Sequence, residues 1–152
     1  MQLIILTTGK CRDAHLRALE SQYHSRMPDN MWRVTIRELP DGATPEEESG
    51  GQLLALAGVP TPGVRILLDE RGENITSRQL ADKFQSWQID GVKAVCLLIG
   101  GANGVSKTVA QRVDWVWSLG KLTMPHQMVR LVLAEQLYRM HTLLTGHPYH
   151  RD

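Results

Sequence analysis

Ala94-Val95-Cys96-Leu97-Leu98-Ile99-Gly100-Gly101-Ala102-Asn103-Gly104-Val105-Ser106 decides the fold. Six apolar residues in a row, stopped by glycines, mark a buried strand. The glycines form a loop, and Ser106 is the N-cap type that opens a further helix. Such a loop lies at the carboxyl edge of an α/β sheet, where these folds bind ligands, and glycine lets backbone N–H groups approach a ligand closely. The spacing is GGxxG, neither the GxGxxG dinucleotide fingerprint nor a P-loop with its Lys-Ser/Thr, so an ordinary tight turn stays open as a reading.

Upstream, the same alternation of element types repeats. Gln2 to Thr8 is an apolar, β-branched strand ending at Gly9. Arg12 to Met27 carries Ala14, Leu16, Ala18, Leu19, Tyr23 and Met27 at helical spacing, and Pro28 stops it. Trp32 to Leu39 alternates apolar and polar residues as a half-buried strand does. Thr44, Pro45 and Glu47 read as N-cap, first-turn proline and capping-box acid of a helix that the Gly50-Gly51 pair weakens. Val64 to Leu68 is a short strand closed by the turn-forming Asp69-Glu70-Arg71-Gly72, and Thr76 with Gln79 opens a helix to Ile89. Strand and helix in this rhythm predict one α/β domain over residues 1–152, a mostly parallel sheet with helices on both faces.

Length and composition agree with that. At 152 residues and 42% hydrophobic, the chain can bury a real core but not two. It has no run of eighteen apolar residues, and Met1 to Gly9 lacks the basic region and cleavage site of a signal peptide, which predicts a soluble, cytoplasmic protein. Cys11 and Cys96 lack CxxC spacing and read as free thiols rather than a redox pair or metal ligands. The net charge of +1 excludes a bulk polycation. Its distribution is uneven: Lys10, Arg12, Arg17, Arg26, Arg33 and Arg37 crowd the first quarter, whereas residues 38–64 hold no Lys or Arg. Any RNA partner is expected on the basic part, although such charges also simply solvate helix faces.

A second candidate site is Ser118-Leu119-Gly120-Lys121-Leu122-Thr123-Met124-Pro125-His126, a loop ahead of a long helix from Gln127 to Thr145. Pro125 at the helix start leaves backbone groups free to face a ligand. His126 at the helix N-terminus is either a proton acceptor or a structural cap. The helix is apolar on more than one face, with Met128, Leu131, Val132, Leu133, Leu137 and Met140, so one side is expected against a partner subunit in a two-fold homodimer. Glu135, Tyr138 and Arg139 interrupt it and read as an internal polar network. The tail Gly146-His147-Pro148-Tyr149-His150-Arg151-Asp152 is rich in functional side chains. His147 and His150 without a neighbouring carboxylate or thiolate argue against a metal site, while Tyr149 and Arg151 suit base stacking and phosphate contact.

Together LLIGGANG (97–104), SLGKLTMPHQMVRLVLAEQLYR (118–139) and GHPYHR (146–151) make the chain resemble the RlmH family of SPOUT methyltransferases, closely from Arg65 to Arg151 and more loosely before residue 60. The resemblance implies an α/β fold with a C-terminal trefoil knot, an exception to the rule against knots. It also implies a cytoplasmic homodimer that uses S-adenosylmethionine to methylate N3 of a pseudouridine in 23S ribosomal RNA on the assembled ribosome. By matching motifs it assigns the cofactor to Leu68, Gly101, Gly120, Lys121, Leu122, Thr123, Met124 and Pro125, held largely by backbone groups. The reacting imide must lose a proton while charge develops on the ring. His126, Tyr149, His150 and Arg151 are the expected catalytic residues: His126 or His150 takes the proton, Tyr149 orients the flipped base, and Arg151 holds phosphate or a carbonyl oxygen, with the tail supplied by either the same or the other subunit. The chain departs from the family in residues 38–64, which many members fill with lysine and arginine.

Three other readings share parts of this pattern. A SPOUT methyltransferase acting on another ribosomal or transfer RNA base would keep the cofactor pocket and change only the substrate face. A non-catalytic ribosome-binding module would keep the fold but has no need of the three intact motifs. A flavodoxin-like small-molecule binder fits the composition and leaves the tail unexplained.

Overall fold

The computed structural model describes residues 1–28 and 30–150. Five parallel strands, β1 (Gln2–Thr8), β2 (Arg33–Leu39), β3 (Gly63–Asn74), β4 (Ala94–Ile99) and β5 (Trp115–Ser118), form one sheet in the order β2-β1-β4-β3-β5. Five helices join them: α1 (Ala14–Ser25), α2 (Pro45–Ala57), α3 (Ser77–Ile89), the short α4 (Lys107–Ala110) and α5 (His126–Thr145). No helix is long and apolar enough to cross a membrane among the described residues.

The apolar run 94–99 is the central strand, and all six of its residues are buried. Alternate side chains of the sheet divide the core in two. Leu3, Ile5, Ile66, Val95, Leu97 and Ile99 pack with Leu80 and Phe84 of α3 and Leu133 and Leu137 of α5. Leu6, Leu67, Cys96 and Leu98 pack on the other face with Ala55 and Leu56 of α2 and Val109 of α4. Burying each such Leu, Ile or Phe is worth about 1.5–3 kcal/mol relative to exposing it. Helices therefore cover both faces. Cys11 and Cys96 are both free and buried, and burial pushes the Cys96 thiol up to about 12.

Local chemistry sets the boundaries. Asp13 caps α1, its carboxylate accepting from His15 and Leu16 N–H at 2.8 and 3.1 Å, which puts Arg12 outside the helix that periodicity extends to it. Thr76 and Gln79 form the full capping box, with bonds of 3.1 and 2.8 Å. Thr44 caps α2, but the Glu47 carboxylate reaches past it to Ala43 N–H at 2.9 Å. The Gly50-Gly51 pair is helical after all.

Two elements differ from expectation. Residues 69–72 do not end β3; they bulge out of it, since Leu68 and Glu73 both pair with Trp117. The turn chemistry is genuine, with Asp69 accepting from Arg71 N–H at 2.9 Å, yet β5 resumes pairing beyond it. Gly72 permits the close return: a Cβ there would lie 2.7 Å from Val116 O. β5 itself has four residues, too few for periodicity to reveal.

Candidate active site

All five strands run in the same direction, so their carboxyl ends share one edge, and there the N-terminus of α5 meets β3, β4 and β5. A cavity of about 680 Å³ opens at that junction. Its walls are the bulge Asp69–Arg71, the loop Gly100–Val105 and the loop between β5 and α5, with Leu67, Ile99 and Val129 as its apolar floor.

Each wall is tied down. In the β5–α5 loop, the Ser118 hydroxyl donates to Gly120 O at 2.7 Å and accepts from Gly120 N–H at 3.1 Å. The Thr123 hydroxyl donates to Glu70 Oε2 at 2.6 Å, joining that loop to the bulge. Arg71 grips Asp69 through Nε and Nη2, both at 2.9 Å, and these bonds hold the Asp69 carboxyl below the usual carboxylate range. The glycine loop rests on the start of α2: Asn103 Nδ2 donates to Ala43 O at 3.2 Å, and Ser49 Oγ lies 2.6 Å from Ser106 Oγ. Glu48 is buried directly beneath it, accepting from Gly42 N–H at 3.0 Å. A Cβ on residue 101 would stand 2.7 Å from Glu48 Oε1, so the Glu48 carboxylate beneath it would have to shift to admit a side chain there.

The N-terminus of α5 also faces this cavity. Pro125 is its cap residue and no side chain caps it, so its first N–H groups and the positive end of its dipole are available to an anionic or carbonyl oxygen. His126, the first residue of α5, lines the cavity as well.

Of the residues singled out in the sequence, Leu68, Gly101, Gly120, Leu122, Thr123, Met124, Pro125 and His126 meet around the cavity. Lys121 sits on the same loop but is exposed and does not line it. Tyr149 and His150 stand apart. The ends of α5 are roughly 28 Å apart at 1.5 Å per residue, and the tail follows the far end. Tyr149 folds back to donate to Glu135 Oε1 at 3.0 Å, its ring 4.7 Å from that of Tyr138 and 5.2 Å from the Arg139 guanidinium. Burial, reinforced by Glu135, pushes its phenol up to about 12. Glu135 and Arg139 thus form the polar pair expected of them, Arg139 Nη2 donating to Glu135 Oε1 at 2.6 Å, whereas the Tyr138 ring packs in the core. Arg151 lies outside the described residues.

Sequence reasoning missed the bulge Asp69–Arg71, Val129 and the buried Glu48. The turn signature at 69–72 was the available signal for the first. Nothing in sequence points to Glu48, because its role depends on α2 crossing under the glycine loop.

A family model described as "Predicted SPOUT methyltransferase" matches residues 1–150. The chain is 37% identical to the ribosomal RNA large subunit methyltransferase H of Methylobacillus flagellatus, with 100% of each chain covered. It is 38% identical to the protein of that name from Paramagnetospirillum magneticum, and 37% identical to the one from a Bradyrhizobium species, with 99% of each chain covered in both cases.

Proposed function

The chain belongs to the SPOUT methyltransferases, and from that premise we propose that it transfers the methyl group of S-adenosylmethionine to N3 of a pseudouridine in 23S ribosomal RNA. It acts on the assembled ribosome, in the cytoplasm, as a homodimer. The observation that carries the reading is the cavity at the carboxyl edge of the sheet, with His126 and the uncapped start of α5 on its wall.

The residues present fit the cofactor. A volume of about 680 Å³ suits a small-molecule ligand, and the walls expose backbone groups of three loops above an apolar floor. Leu68, Gly101, Gly120 and the stretch Leu122–Pro125 would hold it. When bound, it supplies a methyl group on a positively charged sulfur, open to in-line attack. The chain's own part is to orient the base, take its proton and stabilise the charge left behind. His126 accepts the N3 proton. The α5 N-terminus faces the oxygen on which negative charge develops. Apolar side chains keep water from the reacting atoms.

The dimer reading has its own support. Met128 is 38% exposed, Leu131 and Val132 are half-buried, and all three share one face of α5 beside the cavity. A second copy covering that strip would also bring its Tyr149, His150 and Arg151 toward a cavity that Tyr149 and His150 of the same chain do not line. The trefoil knot implied by the family belongs to the same reading and would involve the two loops on either side of the cavity.

The test is methyl transfer from labelled S-adenosylmethionine to ribosomes from a strain lacking the gene, with nuclease mapping. Label at N3 of a large-subunit pseudouridine is expected. Label on another ribosomal or transfer RNA base would move the substrate, and absence of cofactor binding would overturn the enzyme reading.

A further inference from the structure

The six basic residues of the first quarter do not form one surface. Arg33 opens β2 at the amino edge of the sheet, opposite the cavity. Arg26 lies over the rings of Tyr23 and Tyr138, at 5.7 and 5.8 Å. Arg37 lies on β2, in register with Leu6 of β1, and the Arg17 guanidinium donates to Cys11 O. Lys10 and Arg12 share one loop. Both are exposed, both lie on the loop leaving the carboxyl end of β1, and neither forms an ion pair with a described residue.

That loop is fastened to the helix that lines the cavity. Gln127 Oε1 accepts from Arg12 N–H and Asp13 N–H, both at 3.2 Å, and lies 3.5 Å from the Cys11 thiol. Gly9 N–H donates to Leu39 O at 2.8 Å, and Cys11 N–H to Glu38 Oε1 at 3.4 Å. Gln127 follows His126 directly. The backbone carrying Lys10 and Arg12 is therefore fixed before any ligand arrives, fastened to α5 one residue beyond the cavity-lining His126.

We propose that the Gln127-anchored loop with Lys10 and Arg12 is an RNA-backbone contact, holding the phosphates that flank the target nucleotide. Two exposed cations on a fixed backbone suit a phosphodiester chain, because phosphate contacts set position without reading sequence. The inference rests on the RNA-methylating reading above.

The experiment compares wild type with Lys10→Ala, Arg12→Ala, Gln127→Ala and, at the opposite edge, Arg33→Ala. It measures binding of ribosomes lacking the modification against salt, alongside S-adenosylmethionine binding. Each loop cation removed should weaken ribosome binding several-fold and flatten the slope of log affinity against log salt by roughly 0.7. Gln127→Ala should weaken binding by freeing the loop. Arg33→Ala should change neither quantity, and all four should bind the cofactor as wild type does. Unchanged slopes in Lys10→Ala and Arg12→Ala, or an equal loss in Arg33→Ala, would overturn the proposal while leaving the enzymatic reading intact. Wild-type protein that binds no RNA would overturn both.

Discussion

Arg130 and Glu20 meet as a fork: Nε donates to Oε1 at 3.1 Å and Nη2 to Oε2 at 2.9 Å, with both side chains 4% exposed. Arg130 Nη1 adds Glu38 at 2.8 Å, so a single guanidinium ties α5 to α1 and to the end of β2. Burial opposes its charge, and the two carboxylates outweigh that, leaving the guanidinium more firmly protonated than usual. Arg130→Ala strands Glu20 in the interior and should cost about 3–5 kcal/mol in denaturant unfolding. Arg130→Met with Glu20→Leu should recover much of that loss. A single variant as stable as wild type would show that the pair does not hold α5.

Close approach at the glycine loop makes a paired prediction. Gly101→Ala places a methyl 2.7 Å from Glu48 Oε1, so the buried carboxylate or the loop must give way. Cofactor affinity should fall about tenfold, roughly 1.4 kcal/mol, by calorimetric titration. Adding Glu48→Ala removes the obstacle and should restore most of the affinity. If the second change deepens the loss, the contact is not what requires glycine.

His126→Ala should lower the single-turnover rate of methyl transfer, at saturating cofactor, by roughly 100-fold or more, the usual worth of a positioned proton acceptor. Arg151→Ala should act in the same direction. Rates equal to wild type in both variants would remove this site from the reaction.

Acidity should loosen the fold in a defined window. Burial holds the protonation of His24 and His141 below the ordinary histidine range. The folded state thus favours the neutral rings: the stability they contribute is complete above about pH 6.5 and is lost as pH falls below it. Glu38 and Asp69, held low by Arg130 and Arg71, withdraw stability only in the more acidic carboxylate range. The unfolding midpoint should drop between pH 7 and pH 5, and His24→Gln should flatten that drop. An equally steep profile in the variant would assign the loss to other groups.

What could be read in advance followed the range of the physics. Hydrophobic period and capping chemistry act within a few residues, so the strands at Gln2–Thr8 and Ala94–Ile99, and the Thr76/Gln79 start of α3, were legible in sequence. Motif resemblance located the loops that wall the cavity. β5 and the bulge at 69–72 were not legible, because the first is too short to show a period and the second exists only through its partner strand. Glu48 under Gly101 and Gln127 on the 11–13 loop join residues distant in sequence. Such contacts become visible only once the topology is known.

The cavity draws on three parallel strands and the last helix, from Leu67 to Val129. No single hairpin or helix pair could open without dismantling it. Occupancy is therefore a global quantity: ligand at a hundred times its dissociation constant should raise the stability of the whole chain by about 2.7 kcal/mol. The enzyme when loaded should resist proteolysis throughout its sheet, and the cell's supply of methyl donor would set how long each copy survives.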